Sequence, residues 1–274
     1  MIAAPWQPLL RKAARAYLAG PELADAVRLA HSLAAQGLPA STLCFWDAPG
    51  DPPRQVAAMY TAAIGAIAGE RLQSYISIKA PSIMFDERMV LEIADAARAA
   101  GGIRVHFDSL GPETADRTMR LLDCAAAQGG PLGCTVPGRW RRSPGDAARL
   151  AAMGVTIRVV KGQWPDLAGD LEPHQGFLNV IDSLAGQSQP VAVATHHPDL
   201  AAAAIRKLQA AGTPCEMELL YGLPSRAALQ VSRDLGVPVR FYLPYGHAWL
   251  PYALRQAGRD PRILWWLLRD ASRN

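Results

Sequence analysis

Eight short apolar or β-rich runs alternate with helical stretches along most of this chain, and that alternation constrains its fold more than any other feature. The runs occupy residues 41–46, 75–79, 103–108, 132–136, 156–161, 191–195, 215–220 and 237–243. Between them lie Ala-, Leu- and Arg-rich stretches with apolar residues at helical spacing, among them 84–100, 114–128 and 200–211. Gly101-Gly102, Gly129-Gly130-Pro131, Ser143-Pro144-Gly145-Asp146 and Ala211-Gly212-Thr213-Pro214 mark turns and caps. Gly154 and Gly236 stand where a left-handed residue closes a helix before the next strand. Eight strand–helix units within roughly 230 residues predict an α/β fold, a closed (β/α)8 barrel of the TIM type. A doubly wound open sheet is the alternative. It would normally carry a glycine-rich phosphate loop after its first strand, and residues 41–51 have none. Two amphipathic helical stretches, 5–19 and 22–35, precede the first run. No linker or low-complexity tract divides the chain, so the expectation is one domain over 1–274, with N-terminal helices in 1–38 and the barrel in 39–274.

Composition narrows the function classes. Half of the 274 residues are hydrophobic and 19% are charged, which excludes a disordered chain. The net charge of +4 is spread thinly, with no Lys/Arg block longer than Arg139–Arg142, so nucleic acid is not an expected partner. Cys44, Cys124, Cys134 and Cys215 show no metal-ligand spacing and suit a reducing compartment. No run approaches the roughly 18 apolar residues of a membrane span, and no signal-peptide pattern opens the chain. A cytoplasmic location is expected.

Active sites of TIM-type barrels gather at the C-terminal ends of the strands. Only four of the 28 Lys and Arg residues are lysine (Lys12, Lys79, Lys161 and Lys207), and two of these end a β-rich run. The second run ends in Lys79 and the third in Asp108. The fifth alternates so that Arg158 and Val160 point one way and Val159 and Lys161 the other. The sixth ends in Thr195-His196, and the eighth carries Tyr242. A helical stretch after it places Trp249, Tyr252 and Arg255 near one face. Each residue alone has a bland reading: a structural ion pair for Lys79 or Asp108, a hydrogen-bonded core histidine for His196, packing for the aromatic stripe. Together they put more cations than acids at one rim, which predicts an anionic ligand bearing phosphates or a carboxylate.

Five segments in register, 76–79, 158–164, 194–196, 218–222 and 242–255, carry a more specific signal. Over residues 74–257 the chain resembles the flavin-dependent proline dehydrogenases, most nearly the single-function bacterial enzymes. The resemblance implies a distorted (β/α)8 barrel that binds FAD at its C-terminal rim. It also implies oxidation of L-proline, or a related cyclic amino acid, to the imine (1-pyrroline-5-carboxylate for proline), with a quinone or other acceptor taking the electrons. Residue by residue, it assigns Lys79 and Arg255 to the substrate carboxylate and Tyr242 and Tyr252 to the walls around the substrate ring. Asp108 falls on an active-site aspartate and Arg158 beside the flavin ring near N5. Lys161, Gly162, Gln163, Trp164, Thr195, His196 and Glu218 fall among the flavin contacts. No metal is implied.

The chain departs from that pattern at several points. The second arginine of a helix-8 pair is here Gln256, a loss that should weaken carboxylate binding by about 1–3 kcal/mol. Pro137 stands in place of a flavin-contacting glutamine, Trp164 of a tyrosine and His197 of an asparagine; Arg259 or Asp260 replaces an acidic residue. Four readings remain open. They are a proline dehydrogenase with a weakened clamp, a flavoenzyme for a modified proline-like substrate of specialised metabolism, a flavin-poor barrel acting as a partner subunit, and a phosphate-binding aldolase-type barrel using Lys161 as a Schiff base. The segment 261–270 places apolar residues, two of them tryptophan, between arginines. It reads either as packing on the barrel or a second subunit, or as a peripheral contact with the inner face of a membrane.

Overall fold

The computed structural model describes residues 19–246. Its eight strands are all parallel and close into a barrel in chain order, β1 pairing with both β2 and β8. They are β1 (Ala40–Phe45), β2 (Gln73–Ile78), β3 (Val105–Phe107), β4 (Leu132–Pro137), β5 (Thr156–Val160), β6 (Val191–Ala194), β7 (Cys215–Leu220) and β8 (Val239–Tyr245). Helix α1 (Leu23–Ala35) precedes the barrel. The strands are then separated in turn by α2 (Pro53–Gly69), α3 (Glu87–Ala99), α4 (Ala115–Ala127), α5 (Ser143–Ala152), α6 (Pro173–Ser183), α7 (Pro198–Ala210) and α8 (Arg226–Leu235). The expected (β/α)8 barrel is therefore the observed fold, and the open sheet is excluded. The expected helix at 5–19 lies outside the described residues.

Strand polarity is inverted relative to an ordinary packed barrel. TIM-barrel interiors are filled mainly by branched apolar side chains. Here alternate strand positions carry Thr42, Tyr75, Ser77, His106, Thr135, Arg158, Glu216, Glu218, Arg240 and Tyr242, which bond to one another across the barrel. The intervening positions (Leu43, Ile76, Ile78, Phe107, Val136, Ile157, Val159, Val193, Leu219 and Leu243) are buried in the apolar core with residues of the surrounding helices. The hydrophobic core is thus a ring between sheet and helices. That ring leaves the barrel axis free for polar chemistry.

Helix ends follow local chemistry. The helix expected from residue 84 begins at Glu87 instead: Met84 and Phe85 both take left-handed backbone (φ 55° each), and Asp86 caps the helix by accepting from the Met89 N–H at 3.0 Å. Gly236 closes α8 in the left-handed conformation, as its position predicts. Proline opens α2, α6 and α7 at the first turn, where its missing N–H costs nothing. Close approach fixes Gly138, where a Cβ would lie 2.5 Å from the Phe177 backbone. That contact seats the loop after β4 against α6.

His106 occupies the space that Gly133 leaves, since a Cβ there would meet His106 Nδ1 at 2.3 Å. Its Nε2 bonds to Thr135 Oγ1 at 2.9 Å, and its ring stacks on Tyr75. Burial, reinforced by Arg158, Arg104 and Arg240, holds its pKa well below the ordinary value. In the unfolded chain the ring takes a proton near pH 6.5, whereas the folded protein refuses it. Stability should therefore fall as pH drops below about 6.5, with a slope of up to about 1.4 kcal/mol per pH unit from this one group. Urea midpoints between pH 7.5 and 5 should show that loss in the native protein and a shallower one in His106→Gln. An identical slope in the variant would contradict the assignment.

Candidate active site

The C-terminal ends of the strands surround a cavity of about 480 Å³, within the span of small-molecule sites. Its floor is a buried ion-pair cluster. Arg158, on β5 and 4% exposed, reaches Asp108 Oδ1 with Nη1 at 2.7 Å and Glu218 Oε1 with Nη2 at 2.8 Å. Nη1 also donates to Thr135 Oγ1 at 3.2 Å, and Nη2 to the Tyr75 hydroxyl at 3.2 Å. Glu218 spends its remaining capacity on the Tyr75 hydroxyl at 2.8 Å and Thr42 Oγ1 at 3.2 Å. Asp108 accepts from the Tyr242 hydroxyl at 2.8 Å. Arg158 also lies 5.0 Å from the centre of the Tyr242 ring, in range for a cation–π contact.

These contacts fix protonation. Burial alone would lower the Arg158 pKa, but Glu218, Tyr75 and Asp108 outweigh it and hold the guanidinium well above its ordinary value. Burial and Glu218 push Tyr75 up to about 12, while burial and Asp108 raise Tyr242. Both phenols are neutral donors at physiological pH. The side-chain nitrogen Nε of Arg158 is buried without a hydrogen-bond partner among the described residues. Among the described residues it is the one donor of this guanidinium left unused.

Lys79 stands just beyond β2, its Nζ donating to the Phe45 carbonyl at 2.5 Å and lying 3.5 Å from Asp47 Oδ1. Its ammonium also sits 6.0 Å from the Trp46 ring centre. The loop after β5 forms another part of the rim. Gly162 has a φ of +99°, and a Cβ there would meet Pro137 and Arg139 at 2.9 Å. Arg139 ties this loop down by donating to the Gly162 and Gln163 carbonyls (3.4 and 3.0 Å) and pairing with Asp170. The Trp140 indole N–H donates to the Trp164 carbonyl at 2.9 Å. His196 accepts the Leu220 N–H on Nε2 at 3.0 Å, which leaves Nδ1 to donate to the Pro224 carbonyl at 3.1 Å. Its pKa is lowered by burial and Lys161, so the ring is neutral with both nitrogens engaged by backbone.

Of the residues the sequence singles out, Lys79, Asp108, Arg158, Gly162, Gln163, Trp164, His196, Glu218 and Tyr242 line this one cavity. Pro137, read as a departure, lines it too. Thr195 does not: it is buried, and its hydroxyl accepts from the His197 N–H at 3.2 Å. His197 caps α7 instead of facing the cavity, accepting from Leu200 N–H at 3.4 Å. Lys161 is exposed and outside the lining, which removes the desolvation that a Schiff-base lysine requires. Tyr252, Arg255 and Gln256 lie outside the described residues, as does segment 261–270.

The expected excess of positive charge is corrected by the geometry. Among the described residues the lining holds two cations, Lys79 and Arg158, against Asp47, Asp108 and Glu218. Each cation is already paired, because an isolated buried charge costs several kcal/mol and Arg158 could not fold into the barrel without its carboxylates. Sequence reading missed Thr42, Tyr75, Ser77, Thr135 and Asp47. The signal for the first four was present as polar residues at alternate positions of otherwise apolar strands. Asp47, in a loop, offered none.

If Arg139 is what holds the rim loop, Arg139→Ala should raise proteolytic cleavage and hydrogen exchange within residues 161–172. Global stability should change by no more than about 1 kcal/mol, since these bonds lie near the surface. Unchanged protection of the loop would refute that role.

No family model matches the chain. It is similar to proline dehydrogenase 1 of Bacillus subtilis (strain 168), at 26% identity over 266 residues that cover 92% of this chain and 88% of that protein. Proline dehydrogenase 2 of the same strain is 22% identical over 215 residues, covering 72% and 69%. Among solved structures, proline utilization A from Bdellovibrio bacteriovorus, inactivated by N-propargylglycine, superposes with a TM-score of 0.75 at 14% identity. That match covers 90% of this chain and 32% of the larger one. Proline utilization A from Corynebacterium freiburgense gives 0.73 at 16%, covering 96% and 32%. The chain thus spans about a third of those two proteins, and they share its fold. No helix among the described residues is long and apolar enough to cross a membrane.

Proposed function

We propose that this chain is an FAD-dependent dehydrogenase that oxidises L-proline or a related cyclic amino acid to the corresponding imine and passes the electrons to a quinone or similar acceptor. Residues 1–274 act as one barrel unit in this reading, in a cytoplasmic enzyme whose segment 261–270 either packs on the barrel or a second subunit or touches a membrane surface. The observation that carries it is the gathering of Lys79, Asp108, Arg158, Glu218 and Tyr242 around a single cavity in a chain similar to proline dehydrogenases over 92% of its length.

The residues present fit a flavin. Arg158 Nε is a buried donor in need of an acceptor at the cavity floor, as a ring nitrogen of isoalloxazine would be. Gly162 brings backbone to the lining where a side chain would collide. Gln163, Trp164 and the faces of His196 and Pro137 complete that side, with Lys161 and Thr195 adjoining it. When bound, FAD supplies the two-electron acceptor for hydride removal from the carbon beside the substrate amine.

The protein's own groups then have distinct tasks. Arg158 supplies a fixed positive charge that needs no proton, which favours negative charge developing beside it. Asp108 and Glu218 hold that guanidinium in place. Lys79, with Arg255, binds the substrate carboxylate and so sets the orientation of a small ring that offers little else to grip. Gln256 contributes one neutral amide there. Tyr242 presents its ring, its hydroxyl being committed to Asp108, and with Tyr252 shuts out water.

Two narrower readings have support of their own. Gln256 favours a proline-like substrate with an altered carboxyl group. The internal neutralisation of Arg158 favours a barrel that holds FAD weakly and serves as a partner subunit. One experiment separates all three. After reconstitution with FAD, the protein should be yellow, L-proline should bleach it anaerobically, and N-propargylglycine should inactivate it irreversibly. Gln256→Arg should raise proline turnover. Bleaching only by proline analogues would select the second reading, and failure to retain FAD at all would refute the enzyme.

A further inference from the structure

The opposite end of the barrel holds a second cavity, of about 550 Å³, at the N-terminal ends of β2, β3 and β8. Its charged lining residues are Arg71, Arg104 and Arg240, and no acidic side chain among the described residues lines it. Arg240 is committed elsewhere. It holds Glu216 Oε1 at 2.8 Å through Nε and the Ser41 and Gln73 carbonyls at 2.8 and 3.1 Å through Nη1. Arg104 is not: its Nη1 is buried yet has no hydrogen-bond partner, and it makes no ion pair among the described residues. Its guanidinium lies 4.7 Å from the Tyr75 ring centre, and that of Arg240 lies 4.6 Å from the same ring. Arg71 is exposed at the rim and likewise has no acidic partner among the described residues.

A guanidinium nitrogen closed off from water with nothing to accept its proton is a costly arrangement, and such groups are rare unless something else satisfies them. Arg104 and Arg71, on one concave wall and without a carboxylate partner among the described residues, also raise the local concentration of anions, whereas the charge of Arg240 is met by Glu216. We propose that this cavity is a binding site for a small multivalent oxyanion, a phosphate or polycarboxylate group gripped by Arg104 and Arg71. The guanidinium forks match such groups in two-point geometry. The N-terminal face of barrels ordinarily serves stability, so the bound anion would brace the ends of β2, β3 and β8. Tyr75 lines this cavity while its hydroxyl donates to Glu218, which lines the other, so the two ends share one residue.

Isothermal titration with inorganic phosphate and, separately, citrate tests the site on the intact protein, against sodium chloride at matched ionic strength. One saturable site is expected with at least one of the two anions; which of them binds identifies phosphate or carboxylate as the preferred group. Arg104→Met and Arg71→Gln should each weaken it by about tenfold or more, the factor that loss of a charge-assisted hydrogen bond implies. Thermal stabilisation by the same anion should shrink in both variants, which separates the site from the general stabilising action of such salts. Arg71 is exposed, so its variant gives a reading even if Arg104→Met does not fold. No saturable heat from either anion, or unchanged affinity in the variants, would overturn the proposal.

Discussion

The barrel depends on one arginine held between two carboxylates. Arg158 is almost wholly buried, and a lone guanidinium at that depth would cost more than the fold could supply. Asp108, just past the end of β3, and Glu218 from β7 make it tolerable, and they come from opposite sides of the ring of strands. Their other oxygens accept from Tyr242 and Tyr75, of β8 and β2, while Thr42 of β1 shares Glu218 Oε1 with Arg158. With Thr135 of β4, which accepts from Arg158, one cluster therefore ties together seven of the eight strands or their ends, all but β6. Below it, the Arg240–Glu216 pair repeats the arrangement between β8 and β7.

This design separates two tasks that most barrels combine. Apolar burial is handled by the shell between strands and helices, where Ile76, Phe107, Ile157, Val193 and Leu219 are sealed. The axis is left to polar groups whose protonation is fixed by one another rather than by solvent. Tyr75 and Tyr242 are held neutral, Arg158 is held charged, and His106 and His196 are held unprotonated. A mouth built on such a floor keeps these groups in one protonation state across the physiological pH range.

Much of this was legible in the chain. Alternating strand and helix signals specified the closed barrel, and the placement of Lys79, Asp108, Arg158, His196 and Tyr242 near strand ends brought them to one cavity. Strand ends were less well resolved: Lys79, Asp108, Lys161 and Thr195 each fall one residue past the strand they were expected to close. Alternation, not that step, keeps Lys161 and Thr195 out of the lining, since they share the face of Val159 and Val193, away from the barrel axis. Charge balance was the larger failure. Reading cations as an anion-binding rim overlooked that burial selects paired charges, so Arg158 implied its acids before it implied a ligand. Thr42, Tyr75 and Thr135 escaped because a lone polar residue in an apolar strand is ambiguous until neighbouring strands supply its partners.

If the ion-pair cluster organises the barrel, Arg158 and Glu218 must act as a unit. A double-mutant cycle with Arg158→Met and Glu218→Gln, read from urea unfolding, measures this directly. The structure predicts a coupling of about 1–3 kcal/mol, each single change costing more alone than it adds to the other. Additive losses, within about 0.5 kcal/mol, would show that the pair does not organise the barrel.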